Sequence, residues 1–90
     1  MKRLHVFITG RVQGVFFRAR MQRVANSLGF TGWVKNLPDG RVEAVLEGSD
    51  TNMPAMLDSC HEGPPSAIVS NVERLDEPYS GNYQDFTIHY

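Results

Sequence analysis

The sequence predicts an α+β sandwich with the order strand, helix, strand, strand, helix, strand, closed by a short extra strand. Three observations predict it. Apolar residues alternate with period two in residues 4–9, 41–47 and 86–90. Two intervening stretches, starting at Phe17 and Met53, space their apolar residues as one helical stripe instead. Glycine- and proline-containing turns separate these runs. This βαββαβ order is the split βαβ, ferredoxin-like arrangement, an antiparallel sheet with two helices on one face and a short C-terminal strand. The chain has 90 residues. That is enough for one core, so a single domain over 1–90 is expected.

Along the chain, Leu4, Val6 and Ile8 share one face of the first strand. Residues 10–16 form a glycine-containing loop. Phe17, Met21, Val24, Ala25 and Leu28 then make the apolar stripe of the first helix, and both Phe16 and Phe17 are expected to pack in the core. Gly29 sits where a left-handed C-terminal cap belongs, with Phe30 as its apolar partner. Residues 31–36 read as the second strand, carrying Trp33 and Val34. Leu37-Pro38-Asp39-Gly40 is a strong turn signal, so the second and third strands form a hairpin. In the third strand Val42, Ala44 and Leu46 face the core, and Arg41, Glu43 and Glu47 face away. Residues 48–52 are rich in helix-capping types. The second helix presents Met53, Met56, Leu57 and Cys60 on one stripe, tolerates Pro54 in its first turn, and stops at Gly63-Pro64-Pro65. Residues 67–75 read as a fourth strand, 76–84 as a turn-rich connection, and Phe86, Ile88 and Tyr90 alternate in the last strand.

Composition narrows the function. Apolar content is 41%, charged content 21% and net charge −1, with a pI near 6.3. These values suit a globular protein and argue against a nucleic-acid or anionic-membrane partner. A local basic group, Arg11, Arg18, Arg20 and Arg23, is compatible with a small anion. Cys60 is the only cysteine, so no internal disulfide forms, as suits a reducing cytoplasm. No run is long and apolar enough to span a bilayer, and the first residues are too polar for a signal-peptide core. For a domain of this size a monomer is the default. No part of the chain reads as a large specificity pocket.

The chemistry concentrates in Gly10-Arg11-Val12-Gln13-Gly14-Val15-Phe16-Phe17-Arg18. A strand leads in and a helix leads out. Gly10 and Gly14 permit unusual backbone angles and let an anion approach the main chain. The first turn of the helix leaves N–H groups unpaired at the positive end of its dipole. Phosphate binding is therefore expected of the backbone N–H groups of Gln13, Gly14, Val15, Phe16, Phe17 and Arg18, with the guanidinium of Arg18 adding a planar fork of donors. The nucleotide P-loop pattern is absent. A second stretch, Gly32-Trp33-Val34-Lys35-Asn36, follows at a distance that the topology closes, because the first and second strands run the same way on either side of the third.

Together the Gly-x-Val-Gln-Gly-Val-x-Phe-Arg and Gly-Trp-Val-x-Asn blocks resemble the signature of the acylphosphatase family, and the likeness runs over nearly the whole chain. The resemblance implies hydrolysis of small acyl phosphates, such as acetyl, carbamoyl or glycerate-type ones, to a carboxylate and inorganic phosphate. It assigns catalytic roles to Arg18 and Asn36. The residues fit that reaction. A carboxylate leaves with little general-acid help, so the tasks are to hold the phosphoryl oxygens, neutralise charge and place a water in line. No cofactor is called for. His5, His61 and His89 lack metal-ligand spacing, so a metal-independent reaction is expected. A cysteine phosphatase would carry Cys-x5-Arg, but Cys60 has Ser66 at that spacing. The alternative is a non-catalytic anion-binding or regulatory domain of the same fold. An RNA-recognition module is disfavoured because residues 41–47 contain no aromatic.

Overall fold

A computed structural model describes all residues, Met1–Tyr90. Its elements are β1 (Lys2–Arg11), α1 (Phe17–Leu28), β2 (Thr31–Asn36), β3 (Val42–Gly48), α2 (Met53–Glu62), β4 (Ile68–Glu77) and β5 (Phe86–His89). The sheet order is β4-β1-β3-β2-β5. The expected split βαβ arrangement is present, with β3 antiparallel to both β1 and β2. β1 and β4 outrun the lengths read from periodicity, and β5 pairs parallel to β2, which makes the five-stranded sheet mixed. Periodicity marks β5 as a strand but carries no signal for its partner.

One face of the sheet meets the helices. Leu4, Val6 and Ile8 of β1 and Val42, Ala44 and Leu46 of β3 bury there against Phe17, Met21 and Ala25 of α1 and Met53, Met56 and Cys60 of α2. The amphipathic patterns therefore place the core as expected. α1 ends where the sequence sets its cap. Gly29 takes φ 76°, its N–H donates to Asn26 O at 3.3 Å, and the Phe30 N–H donates to Ala25 O at 2.8 Å. This pair of bonds satisfies carbonyls that the helix end would leave open, and it turns the Phe30 ring into the core. Asn52 precedes α2 but its side chain caps nothing there. Its Nδ2 donates instead to Leu28 O at 3.1 Å and ties the start of α2 to the end of α1.

Glu47 departs from expectation. It does point away from the helices, yet it is only 1% exposed. The cause is the route of residues 78–85, which must pass from β4 at one edge to β5 at the other. Ser80 N–H and Oγ–H donate to Glu47 Oε2 at 3.0 and 2.8 Å, Gly81 N–H donates to Oε1 at 3.1 Å, and Arg3 Nη1 reaches Oε2 at 3.2 Å. A buried carboxylate is tolerable only with such a full set of donors. Trp33 Nε1 adds a bond to the Tyr83 hydroxyl at 3.2 Å, so the connection is held at two points.

Burial alone would push the Glu47 carboxyl up. The bonds from Ser80, Arg3 and Gly81 outweigh it and hold the group below its usual 4.5. Glu77, bonded by His5 and then Arg3, is lowered as well. A carboxyl lowered in the folded state adds stability above its unfolded value, and that stability is lost as pH falls through the folded one. Urea unfolding is expected to become easier as pH drops from about 6 to about 3, and Glu47→Gln to show a shallower drop. An unchanged slope in the variant would remove Glu47 from the acid response.

Candidate active site

The register brings the two motif stretches together. Ile8 of β1 and Asn36 of β2 both face Val42 of β3. With strands about 4.8 Å apart, the backbones at Ile8 and Asn36 lie roughly 10 Å from each other. The loop after β1 thus starts beside the end of β2. Gly10 serves a different purpose from the one expected. A Cβ there would lie 2.0 Å from Ile68 O, so its missing side chain admits β4 rather than an anion. Gly14 does adopt the left-handed conformation, with φ 73°. A Cβ at Gly14 would meet nothing within 4 Å, so glycine is needed there for its backbone angle and not for space.

Phe16 is also left-handed, at φ 65° and ψ 24°, and it immediately precedes α1. Positive φ at Gly14 and Phe16 alternates with negative φ at Val15 and Phe17. Alternation of this kind turns successive N–H groups toward one side and makes an anion-binding concavity. The N–H groups of Gln13, Gly14, Val15 and Phe16 donate to no acceptor in the chain. The side chains of Val15 and Phe17 are buried and anchor the loop. Phe16 corrects the expectation of core packing, since it is 84% exposed.

Arg18 and Asn36 line one cleft of about 310 Å³ together with Gly14 and Phe16. Arg18 Nη1 donates to His89 O at 3.4 Å, and its guanidinium carbon sits 4.8 Å from the centroid of the Tyr90 ring. Most of its donors remain free. Asn36 Oδ1 is buried and has no hydrogen-bond partner. Of the basic group read in the sequence, only Arg18 lines the cleft. Arg20 is engaged elsewhere, donating to Gly63 O and pairing with Glu62. Cys60 lies in the core, where burial pushes its thiol up to about 12, out of range for a nucleophile. A larger hollow of about 370 Å³ mixes acids and bases, among them Asp50, Asp58 and Arg74, and contains none of the predicted residues.

Two features escaped the sequence. The Gln13 side chain does not face the cleft chemistry but clamps it. Its Nε2 donates to Leu37 O at 2.8 Å and Arg41 O at 3.0 Å, which joins the loop to the hairpin that carries Asn36. Ile88 and Tyr90 also line the cleft. They arrive there because β5 lies parallel beside β2, with Ile88 opposite Val34.

The acylphosphatase family model matches residues 4–88. The chain belongs to the acylphosphatase family. It is 49% identical to an acylphosphatase of Syntrophus aciditrophicus over 90 residues, covering all of this chain and 94% of that one. The crystal structure of the Bacillus subtilis acylphosphatase superimposes with a TM-score of 0.95 at 32% identity, over 100% of both chains. The acylphosphatase structure from Coxiella burnetii gives 0.92 at 41% identity, over 98% of this chain and 92% of that one. The protein is accordingly a hydrolase that cleaves an acyl phosphate and releases inorganic phosphate.

The clamp has a measurable consequence. Gln13→Ala removes two hydrogen bonds while Leu37 O and Arg41 O keep partners within the turn, namely the Gly40 and Leu37 N–H groups. A loss of about 1–2 kcal/mol in urea unfolding is expected, with a fall in acetyl phosphate turnover as the loop and hairpin separate. Wild-type values for both would show that the two segments hold their positions without Gln13.

Proposed function

We propose that Arg18 and Asn36 are the catalytic residues of this acylphosphatase, and that the N–H groups from Gln13 to Arg18 hold the phosphoryl oxygens. The observation that carries this reading is what one cleft brings together: N–H groups around Gly14 that donate to nothing in the chain, the largely free donors of Arg18, and the uncharged amide residue Asn36. A purely anion-binding domain has little use for an uncharged amide beside its donors. A hydrolase has a use for one, because an amide beside the donors can orient the attacking water.

The reaction then runs as follows. The loop fixes the phosphoryl group, and Arg18 draws off charge that builds on its oxygens. Water oriented by the Asn36 amide attacks phosphorus as the bond to the acyl oxygen breaks. The carboxylate departs as an anion, and the water's proton passes to the phosphate formed or to solvent. Asn36 orients and takes no proton. Small acyl phosphates of the acetyl, carbamoyl or glycerate type fit this scheme, which needs neither metal nor cofactor. The same reading takes residues 1–90 as one domain, acting as a cytoplasmic monomer without a nucleic-acid or membrane partner.

Two predictions test the roles. Asn36→Ala is expected to lower kcat by about 10²–10³ while leaving inhibition by inorganic phosphate nearly unchanged. Arg18→Ala and Arg18→Lys should lose both turnover and phosphate affinity, because an ammonium cannot replace the fork. Steady-state kinetics with acetyl phosphate and a phosphate titration separate the two, and equal loss of phosphate affinity in Asn36→Ala would move that residue to anion binding.

Gly14→Val is expected to abolish turnover and phosphate binding together. The side chain has room, so the damage comes from forcing a β-branched residue to φ 73°, which costs of the order of 1–3 kcal/mol and redirects the N–H groups. Amide NMR during a phosphate titration checks this. Unchanged affinity and unchanged shifts from Gln13 to Arg18 would place the cradle elsewhere.

A further inference from the structure

Phe16 combines two features that ordinarily exclude each other. It is a bulky residue held in the left-handed region at φ 65°, a conformation that large side chains rarely adopt. It is also 84% exposed, so no packing of the ring explains why it is there. Its neighbour Phe17 is buried and supplies the anchor that the start of α1 needs. The Gly-x-Val-Gln-Gly-Val-x-Phe-Arg block leaves the position of Phe16 open, so the loop does not require an aromatic for its own shape. The backbone does ask something of this residue, but only its N–H and its angle.

The cleft is larger than its anion chemistry needs. At about 310 Å³ it lies at the low end of the ~300–1,000 Å³ typical of sites for small organic molecules, more than a tetrahedral anion fills. Gly14, Arg18 and Asn36 account for the polar lining. The rest is apolar or aromatic, with Val12, Phe16, Ile88 and Tyr90 prominent in it. Tyr90 is more exposed than Phe16, and its ring already lies against the guanidinium of Arg18 at 4.8 Å. Two solvent-exposed rings on one small cleft, beside the groups proposed to hold the phosphoryl end, are well placed to receive the other end of the substrate.

We infer that Phe16 and Tyr90 form an acyl-side subsite that makes this chain select acyl phosphates with an apolar, and above all an aromatic, acyl group over acetyl or charged ones. The inference rests on the proposed roles of Arg18 and the loop, which fix the phosphoryl group and so decide which lining is left for the acyl group. Stacking or edge contact with the two rings removes apolar surface of both partners from water, a gain that a methyl group collects only in small part and a carboxylate not at all. The contact persists while the phosphoryl bond breaks, so it appears in kcat/KM.

The test is a selectivity ratio, kcat/KM for benzoyl phosphate divided by that for acetyl phosphate, which cancels effects common to the shared phosphoryl end. The wild-type chain is expected to favour benzoyl phosphate. Phe16→Gly takes the left-handed angle without strain, keeps the N–H and deletes only the ring. It should lower the ratio about tenfold, the scale of a lost contact in a hydrophobic site. Tyr90→Ser should lower it less, and Phe16→Tyr should keep it. A ratio unmoved in both Phe16→Gly and Tyr90→Ser, with both substrates still hydrolysed, would overturn the subsite and leave the proposed catalytic roles standing. If Arg18→Ala and Asn36→Ala hydrolysed both substrates as well as the wild type, the catalytic reading would fall, and the subsite with it.

Discussion

The proposed active site depends on one constraint of the sheet: β3 runs antiparallel between β1 and β2. Two strands flanking a common antiparallel neighbour must point the same way, so their C-terminal ends share one edge. Val42 marks the row, with Ile8 on one side and Asn36 on the other. A loop that leaves β1 just after this row, and an amide that closes β2 on it, meet with no further device. The Gln13 clamp then removes the remaining freedom by tying the loop to two carbonyls of the turn between β2 and β3.

Wherever one residue's chemistry decides local structure, the sequence is readable. The stripe of α1, the Gly29 cap and the Leu37–Gly40 turn, closed by Gly40 N–H on Leu37 O at 3.1 Å, are all of this kind. So are the membership of the fold and the meeting of Arg18 with Asn36 in one cleft. What stayed hidden depends on partners distant in sequence. Glu47 looks like a solvent-facing strand residue until the Ser80 segment crosses over it. Gly10 reads as a loop glycine until Ile68 O is seen against it. Phe16 and Phe17 are indistinguishable as a pair, and only the sign of φ at Phe16 separates rim from core. The parallel pairing of β5 has no local signature, so the contribution of Ile88 and Tyr90 could not be foreseen.

These long-range features form a single mechanical line. Arg3 and Glu47 hold the connection of residues 78–85 over the open face of the sheet. Trp33 holds it again through Tyr83. The connection delivers β5 to the edge of β2, where His89 O meets Arg18 and Tyr90 lies against its guanidinium. A buried carboxylate remote from the cleft therefore takes part in positioning the arginine, through backbone rather than through a relay of charges. Removing one partner from such a set leaves the others uncompensated, which makes the tether cooperative.

The loop itself shows how a small domain can keep donors unpaired without disorder. N–H groups that bond to nothing in the chain, and a left-handed phenylalanine, both work against folding. They persist because the loop is pinned on all sides by groups that favour it. Val15 and Phe17 insert into the core, Gln13 grips the hairpin, and β4 closes on Gly10. The strain is thus local and the compensation is distributed. On the proposed roles, a loop arranged in this way meets an anion already shaped for it, so little reorganisation remains for the moment when charge moves onto the phosphoryl oxygens. The exposure of Phe16 follows from the same arrangement. Once alternating φ signs turn the N–H groups inward, the side chain at the second left-handed position has no core to enter, and the rim of the cleft is where it must stay.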